Sequence, residues 1–194
     1  LIEKISDLKK YSKKKVNEYY FSDSKKIINI LSIGRLVPQK SHITILKALT
    51  LLKNKKKFKF FLIGKGSEYD NLQKFIDENK LNNQIKILSF KANIYPYYKK
   101  ADIFVQSSLY EGLPNTLIEA LTFGLPIIST NCKTGPKEIL NNKKYGKLFK
   151  IKDHTTLSKL IVKSKKQLKK KYIYDERFDF NNNLKKYENI ITSL

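Results

Sequence analysis

Two carboxylates, Glu111 and Glu119, stand eight positions apart on either side of the segment GLPNTLI. Pro114 suits the first turn of a helix, where its missing N–H costs no hydrogen bond. The backbone amides of Asn115 and Thr116 would then point out of the helix start, which is a favourable place for a phosphate group. The two carboxylates could accept hydrogen bonds from two separate sets of sugar hydroxyls. A capping acid followed by an unrelated helical glutamate is the structural alternative, and the spacing alone does not separate the two interpretations.

A second polar segment, GRLVPQK at 34–40, follows an apolar run. Gly34 permits a sharp turn and a close approach of a ligand to the backbone. Arg35 and Lys40 would stand near a helix start, where two cations suit a diphosphate leaving group. A solvated basic loop is the alternative, and it explains Lys40 more easily than Arg35, because Arg177 is the only other arginine of the chain.

Three further features carry weaker signals. Gly64 and Gly66 close the next apolar run, and they indicate either a ligand-binding loop or a tight turn between a strand and a helix. Cys132 is interpreted as a small residue at the same edge and not as a nucleophile, because neither histidine is placed to activate it. His42 and His154 are themselves interpreted as residues on helix surfaces.

The elements that must position these residues alternate along the chain. Short β-branched apolar runs alternate with helical patterns, which predicts an α/β fold with a doubly wound, Rossmann-like parallel sheet. In such sheets, ligands bind at the carboxyl ends of the strands, where all the segments above would lie. The predicted strands are 27–33, 59–64, 85–90, 102–106, 126–130 and 147–150, and the predicted helices are 43–52, 67–80, 95–100, 114–123, 136–141, 153–171 and 179–193. We expect residues 1–24 to form a helical lead-in, 25–171 the Rossmann-like domain and 172–194 a closing helical segment.

Composition limits the class of protein. The 194 residues are 41% hydrophobic, which suffices for an ordinary core and argues against wholesale disorder. The single cysteine excludes an internal disulfide framework and a zinc site built on several thiolates. Because no apolar run reaches the length of a membrane-spanning helix and the N-terminus lacks a secretory pattern, we expect a cytoplasmic protein.

The net charge of +23 comes almost entirely from lysines that are spread over every segment. Proteins that bind nucleic acids usually use arginines and concentrate basic residues on one face, so we expect no nucleic-acid partner. The lysine, asparagine and isoleucine content is typical of an AT-rich genome. The alternative is a real electrostatic role, either toward phosphate-bearing substrates or toward the anionic inner face of the plasma membrane.

Four stretches occur together in an order that resembles one protein family: ILSIGRLVPQK, FFLIGKGSE, YYKKADIFVQSSLYEGLPNTLIEALTFGLPIIST and TGPKEIL. They resemble the C-terminal, nucleotide-sugar-binding lobe of a group 1 glycosyltransferase with the GT-B fold. The resemblance implies a retaining enzyme that transfers a sugar from a UDP-, GDP- or ADP-sugar to a glycan or lipid-linked acceptor. It also implies a role in cell-surface polysaccharide or lipopolysaccharide synthesis, with no cofactor and no bound metal.

The resemblance assigns roles to individual positions. Arg35 and Lys40 match the pair that grips the donor diphosphate and stabilises its departure, and Glu111 matches the acid that holds the transferred sugar; these three are the expected catalytic residues. Glu119 matches the acid that holds the ribose. Phe90 and Lys91 match the loop beside the base, and the amides of Asn115 and Thr116 would meet the distal phosphate. The remaining expected donor-binding residues are Gly34, Gly64 and Gly66.

The chain departs from the family pattern in two residues and in length. Ser41 and Lys91 stand where the family often has glycine, and Lys91 could crowd the base. The chain resembles one lobe of a two-lobed enzyme, so we expect it to bind donor and to transfer sugar poorly alone. The alternative is a non-catalytic donor-binding lobe that needs an N-terminal lobe on another chain. A nucleic-acid-binding module, suggested only by the charge, is the third hypothesis.

Overall fold

The computed structural model describes residues 13, 21–22, 24, 26–141, 144–164, 175–178, 185, 188–189 and 191–192. Most of the predicted lead-in at 1–24 and of the predicted closing segment at 172–194 therefore lies outside the described residues. The described strands are β1 (Ile28–Ile33), β2 (Phe58–Ile63), β3 (Ile85–Leu88), β4 (Ile103–Gln106), β5 (Ile127–Thr130) and β6 (Gly146–Phe149). The helices are α1 (His42–Thr50), α2 (Tyr69–Glu78), α3 (Tyr95–Lys100), α4 (Asn115–Thr122), α5 (Pro136–Ile139) and α6 (His154–Lys163).

The six strands form one sheet in the order β3-β2-β1-β4-β5-β6, and every neighbouring pair is parallel. This order reverses direction between β1 and β4, as in a doubly wound sheet, so the predicted fold class is confirmed. Loops on either side of such a reversal diverge and leave a crevice at the carboxyl edge of the sheet. The loops that follow β1 and β4 begin at this reversal, and they carry the residues from Gly34 to Lys40 and Glu111 respectively.

Both faces of the sheet are covered, which explains why its central strands are apolar without alternation. Ile30 and Phe60 belong to a core cluster on one face, together with Leu49 of α1. Their chain neighbours Leu31 and Phe61 belong to the cluster on the other face, which α3 and α4 also build. Because the side chains of a strand alternate between faces, two adjacent apolar residues serve two separate cores.

The element boundaries differ from the sequence prediction by a few residues. β2 ends at Ile63 and β3 ends at Leu88, so Gly64 and Phe90 lie in the loops that follow these strands. The helix predicted over 153–171 is described over His154–Lys163, with Asp153 and Ser164 as its capping residues, and 165–171 lies outside the described residues. The short helix predicted at 95–100 has the predicted bounds.

The loops after β1 and β2 pack backbone against backbone. The amide of Leu36 donates to the carbonyl of Lys65 at 2.9 Å, and the amide of Glu68 donates to the carbonyl of Leu36 at 2.9 Å. A Cβ atom at Gly64 would overlap the carbonyl oxygen of Gly34, and one at Gly66 would overlap that of Leu36. These two glycines therefore have a packing role that fixes the loop carrying Arg35, and this role involves no ligand.

Gly64→Ala should destabilise the fold by about 2 kcal/mol or more, because the added methyl group must displace backbone and not a flexible side chain. Gly112→Ala is the matched control, since a Cβ at Gly112 meets nothing within 4 Å. Urea unfolding curves of both variants test this difference. Equal midpoints for the two variants would contradict the packing role of Gly64.

Candidate functional site

Lys40 and Glu111 form an ion pair where the loops after β1 and β4 meet. Lys40 Nζ lies 2.6 Å from Glu111 Oε1, and only 17% and 7% of the two side chains are exposed. Because little solvent surrounds the pair, water and dissolved ions screen the attraction between the two charges only weakly, and the charged hydrogen bond keeps its geometry. Two of the three residues expected to be catalytic are thus in direct contact, although 71 positions separate them in the chain.

Two further donors hold the same carboxylate oxygen of Glu111. Gln106 Nε2 donates to Oε1 at 2.7 Å, and Ser108 Oγ donates to it at 2.6 Å. Ser129 of the neighbouring strand in turn donates to Gln106 Oε1 at 3.3 Å. Sequence reasoning did not single out Gln106 or Ser108; the available signal was the change from apolar to polar residues at the end of β4. Oε2 of Glu111 accepts no hydrogen bond from the described residues.

Further hydrogen bonds join the backbones of these two loops. Ser107 Oγ lies 2.9 Å from the carbonyl oxygens of both Lys40 and Ser41. The amide of Leu109 donates to the carbonyl of Gln39 at 2.8 Å, and the Gln39 side chain donates to the carbonyl of Tyr110 at 3.0 Å. These hydrogen bonds join the two loops and hold Lys40 close to Glu111.

Arg35 lies on the same loop as Lys40 but points into solvent. Its Nη2 is 3.4 Å from Gln39 Oε1, and its guanidinium is otherwise open to a ligand at the rim. The carbonyl of Arg35 accepts a hydrogen bond from His42 Nε2 at 3.1 Å. The structure thus keeps the two predicted diphosphate-binding cations on one short loop, one of them paired and one of them exposed.

The prediction that His42 is a surface residue is wrong. His42 begins α1 with its ring under the Arg35 turn, and only 5% of it is exposed. Burial lowers its pKa to about 4, so the ring stays neutral at physiological pH and Nε2–H can donate to the carbonyl of Arg35. His154, the first residue of α6, is half-buried.

Ser41 follows Lys40 in a left-handed backbone conformation, with φ 46° and ψ 41°. Glycine adopts this conformation without strain, whereas another residue gives up about 1 kcal/mol. Ser41 offsets part of this cost through a 2.9 Å hydrogen bond between its hydroxyl and that of Thr44. Ser41 therefore adopts a turn for which glycine is the less strained residue.

The predicted phosphate-binding amides are placed at the start of α4. Pro114 is the N-cap residue in an extended conformation, and Asn115 and Thr116 begin the helix. First-turn amides have no acceptor within their own helix, so they remain available to an anion. Thr134 Oγ1, from the loop after β5, donates to the carbonyl of Glu111 and supports the loop that precedes this helix.

Glu119 lies four residues after Asn115 and therefore on the same face of α4. It is partly buried, and its Oε2 accepts a 2.8 Å hydrogen bond from the hydroxyl of Tyr98. Burial raises the pKa of the Glu119 carboxyl, and the Tyr98 hydrogen bond lowers it less than burial raises it. Like Gln106, Tyr98 was not singled out from the sequence, which gives no sign that α3 and α4 meet here.

Phe90 and Lys91 form a separate part of the rim. The strand before them, β3, is at the edge of the sheet, with β2 and β1 between it and β4. Phe90 is 65% exposed, and Lys65 Nζ lies 5.9 Å from the centroid of its ring. Lys91 is half-buried. An exposed aromatic ring beside a cation could stack on a flat base, which fits the predicted location of the nucleobase.

The arrangement as a whole suits a ligand that carries both anionic and hydroxyl groups. Arg35, Lys40 and the first amides of α4 provide positive potential, while the carboxylates provide acceptors. Within the described part of the chain there is no group of three His, Cys, Asp or Glu residues that could hold a metal ion. Burial raises the pKa of Cys132, whose thiol donates to the carbonyl of Ser108 at 3.1 Å, so it supports the loop as a neutral group.

Comparison with known sequences identifies proteins that are similar to this chain. A family model described as glycosyl transferases group 1 matches residues 13–186. An uncharacterised glycosyltransferase of Methanocaldococcus jannaschii is 39% identical over 140 residues, which cover 72% of this chain and 34% of that protein. The Campylobacter jejuni N-acetylgalactosamine-N,N'-diacetylbacillosaminyl-diphospho-undecaprenol 4-alpha-N-acetylgalactosaminyltransferase is 31% identical over 128 residues, 66% of this chain and 34% of that enzyme. The matched region thus spans about a third of the length of these relatives.

Solved structures confirm the fold. Anabaena HepE in complex with UDP superimposes with a TM-score of 0.76 at 21% identity, over 87% of this chain and 50% of that one. The apo form of the lipopolysaccharide outer core galactosyltransferase WaaB gives a TM-score of 0.74 at 23% identity, over 89% of this chain and 51% of that one. Because the family match extends over most of the sequence and the fold agrees, the chain belongs to the group 1 family of glycosyltransferases.

Proposed function

We propose that this chain is the donor-binding lobe of a retaining glycosyltransferase that uses a nucleotide-diphosphate sugar. The observation that carries the proposal is the buried contact of Lys40 with Glu111, which lies in the loop that leads into α4. In this proposal Lys40 meets the diphosphate and Glu111 meets the sugar, and these are the two parts of the donor that the breaking bond joins. The complex of the similar HepE fold with UDP supports a nucleotide in this lobe.

The chain's own residues would stabilise the leaving diphosphate. Arg35 and Lys40 offset the negative charge that grows on it as the sugar departs, and the first amides of α4 add hydrogen bonds. Because Gln106, Ser108 and Lys40 all hold Oε1 of Glu111, its Oε2 is left in a fixed position for a sugar hydroxyl. Such pre-organised groups need no rearrangement during the reaction. We propose that donor binding needs no metal, because cations and amides already face the diphosphate.

The acceptor site would lie on an N-terminal lobe that the family places opposite this one. The chain spans about a third of its curated relatives and about half of the similar solved chains. We therefore propose that transfer requires this second lobe, whether it belongs to the same polypeptide or to another chain. The Campylobacter relative acts on an undecaprenyl-diphosphate-linked saccharide, which supports a glycan or lipid-linked acceptor in surface polysaccharide synthesis.

Contact with a membrane would be peripheral. No helix in the described ranges is long and apolar enough to cross a bilayer. The excess of lysines, which gives a net charge of +23, offers attraction to an anionic inner leaflet. We propose such electrostatic contact at the cytoplasmic face as the location of the enzyme.

Arg35→Ala should weaken the binding of the nucleoside diphosphate by about tenfold, because it removes a charged contact to the diphosphate. The ligand is whichever of UDP, GDP and ADP the wild type binds best. Lys163→Ala removes the same charge at the far end of α6 and is the control. Isothermal titration calorimetry of both variants measures the difference. Equal affinities for the two variants would contradict the diphosphate assignment.

Gln106→Leu should weaken binding of the nucleotide sugar about fivefold and leave binding of the corresponding nucleoside diphosphate unchanged. The variant removes one of the donors that fix Glu111, and that carboxylate would meet only the sugar. A panel of UDP-, GDP- and ADP-sugars ranked by thermal shift identifies the ligand, and calorimetry then measures both affinities. An equal loss for both ligands would show that Glu111 does not hold the sugar.

The affinity for the nucleotide sugar should fall as the pH is lowered through the raised pKa of Glu119. The ionised Glu119 carboxylate accepts hydrogen bonds from the ribose hydroxyls. Protonation of this carboxylate in the unliganded protein therefore competes with binding, and the affinity reaches its full value only above the raised pKa of Glu119. The nucleotide sugar is the suitable probe because it lacks the terminal phosphate ionisation near pH 6. In Glu119→Gln the affinity should be lower and independent of pH over this range, and an unaltered pH profile in that variant would contradict the role of Glu119.

A further inference from the structure

Tyr98 places a fully buried hydroxyl between two acceptors of α4. No part of its side chain is exposed, and its Oη lies 2.8 Å from Glu119 Oε2 and 3.2 Å from the carbonyl oxygen of Thr116. A tyrosine hydroxyl carries one hydrogen, and the shorter distance and the carboxylate charge direct it to Glu119. The Tyr98 hydroxyl thus donates to the Glu119 side chain and lies against the backbone of the first turn of α4 at Thr116.

The core fixes the ring that carries this hydroxyl. The Tyr98 ring lies 5.4 Å from the Phe123 ring and 5.6 Å from the Phe104 ring, measured between centroids. A close-packed aromatic ring has little rotational freedom, so its hydroxyl is a fixed reference point. Phenylalanine would fill the same space without burying a polar group. Any effect of the Tyr98 hydroxyl on the site therefore comes from its contacts with the acceptors of α4 and not from filling space in the core.

One oxygen of Glu119 remains available. The Tyr98 hydroxyl occupies Oε2, and Oε1 accepts no hydrogen bond from the described residues. A glutamate side chain that is not held samples several rotamers, and freezing it on binding costs about 1 kcal/mol or more. A hydrogen bond that fixes one oxygen in advance removes most of this cost and sets the direction of the other oxygen.

We propose that Tyr98 is a positioning residue for ribose recognition: its hydroxyl holds Glu119 so that the second carboxylate oxygen meets the ribose hydroxyls of the donor. The inference rests on the proposed function, because it needs the ribose to lie at Glu119. It adds that discrimination between ribose and deoxyribose depends on a residue of α3 that does not touch the nucleotide.

The experiment compares a ribonucleotide with its 2′-deoxy form. Calorimetry on the full chain measures the affinities of UDP and 2′-deoxy-UDP, or of the corresponding GDP or ADP pair if that nucleotide binds best. Wild type should prefer the ribonucleotide by tenfold or more, as expected for a hydrogen bond to a charged group. Tyr98→Phe should reduce this preference at least threefold, through weaker binding of the ribonucleotide with the affinity for the deoxy form unchanged.

Tyr97→Phe is the matched control. Tyr97 precedes Tyr98 on α3, and its ring lies 6.0 Å from that of Phe21. Removal of its hydroxyl should leave the preference for ribose as in wild type. A general loosening of α3 would lower both affinities together and would leave their ratio unchanged, so the ratio separates positioning from stability.

The outcomes separate this inference from the proposed function. Glu119→Ala should abolish the preference for ribose. If the wild-type protein itself shows no preference for the ribonucleotide, both the ribose site at Glu119 and the role of Tyr98 are overturned. If Glu119→Ala abolishes the preference and Tyr98→Phe retains it, the role of Tyr98 alone is overturned. Should Tyr98→Phe fail to fold, Glu119→Asp provides the test, because it keeps the charge and withdraws the carboxylate from the Tyr98 hydroxyl. A full ribose preference in that variant would also overturn the role of Tyr98.

Discussion

The contact between Lys40 Nζ and Glu111 Oε1 joins the two loops on which the site depends. The loops follow β1 and β4, the strands between which the winding of the sheet reverses, and in most such sheets they simply diverge. Here the ion pair and the hydrogen bonds of Ser107 to the carbonyls of Lys40 and Ser41 hold them together, while Gln106 and Ser108 fix Glu111 within its own loop. A charged pair with so little exposure depends on further hydrogen bonds to its charged atoms, and Gln106 and Ser108 supply two of them to Glu111. The contacts that join the two loops therefore also orient the cation and the acid of the site.

The fold could be predicted from the sequence because both faces of the sheet are covered. Residues 27–33 and 59–64 are mostly apolar and show no regular alternation of polar residues, and that pattern at such a length is typical of a buried parallel strand. The family resemblance carried the prediction further, to the individual residues of the site. Strand ends were less predictable, as at Phe90, because the last residues of β3 are set by pairing with β2, which local sequence does not encode.

The contacts of the site residues could not be predicted from spacing. Lys40 and Glu111 meet across 71 positions, and only the strand order brings them together. His42 was misinterpreted because a helix pattern does not show which way its first residue turns, and this ring turns under the Arg35 loop. Gln106 and Tyr98 were not predicted because each contacts another side chain of the site, Glu111 and Glu119 respectively, and these contacts arise only in the fold. The change from apolar to polar residues at the end of β4 was the only signal for Gln106, and the segment of Tyr98 carries none.

The most direct measurement is a crystal structure of the chain grown with the nucleotide sugar that stabilises it most. We predict density for the diphosphate between Arg35, Lys40 and the first amides of α4, with the ribose against Glu119 and the sugar against Glu111. Density for the nucleotide elsewhere on the molecule, with this edge of the sheet empty and the Lys40–Glu111 pair unaltered, would contradict this prediction.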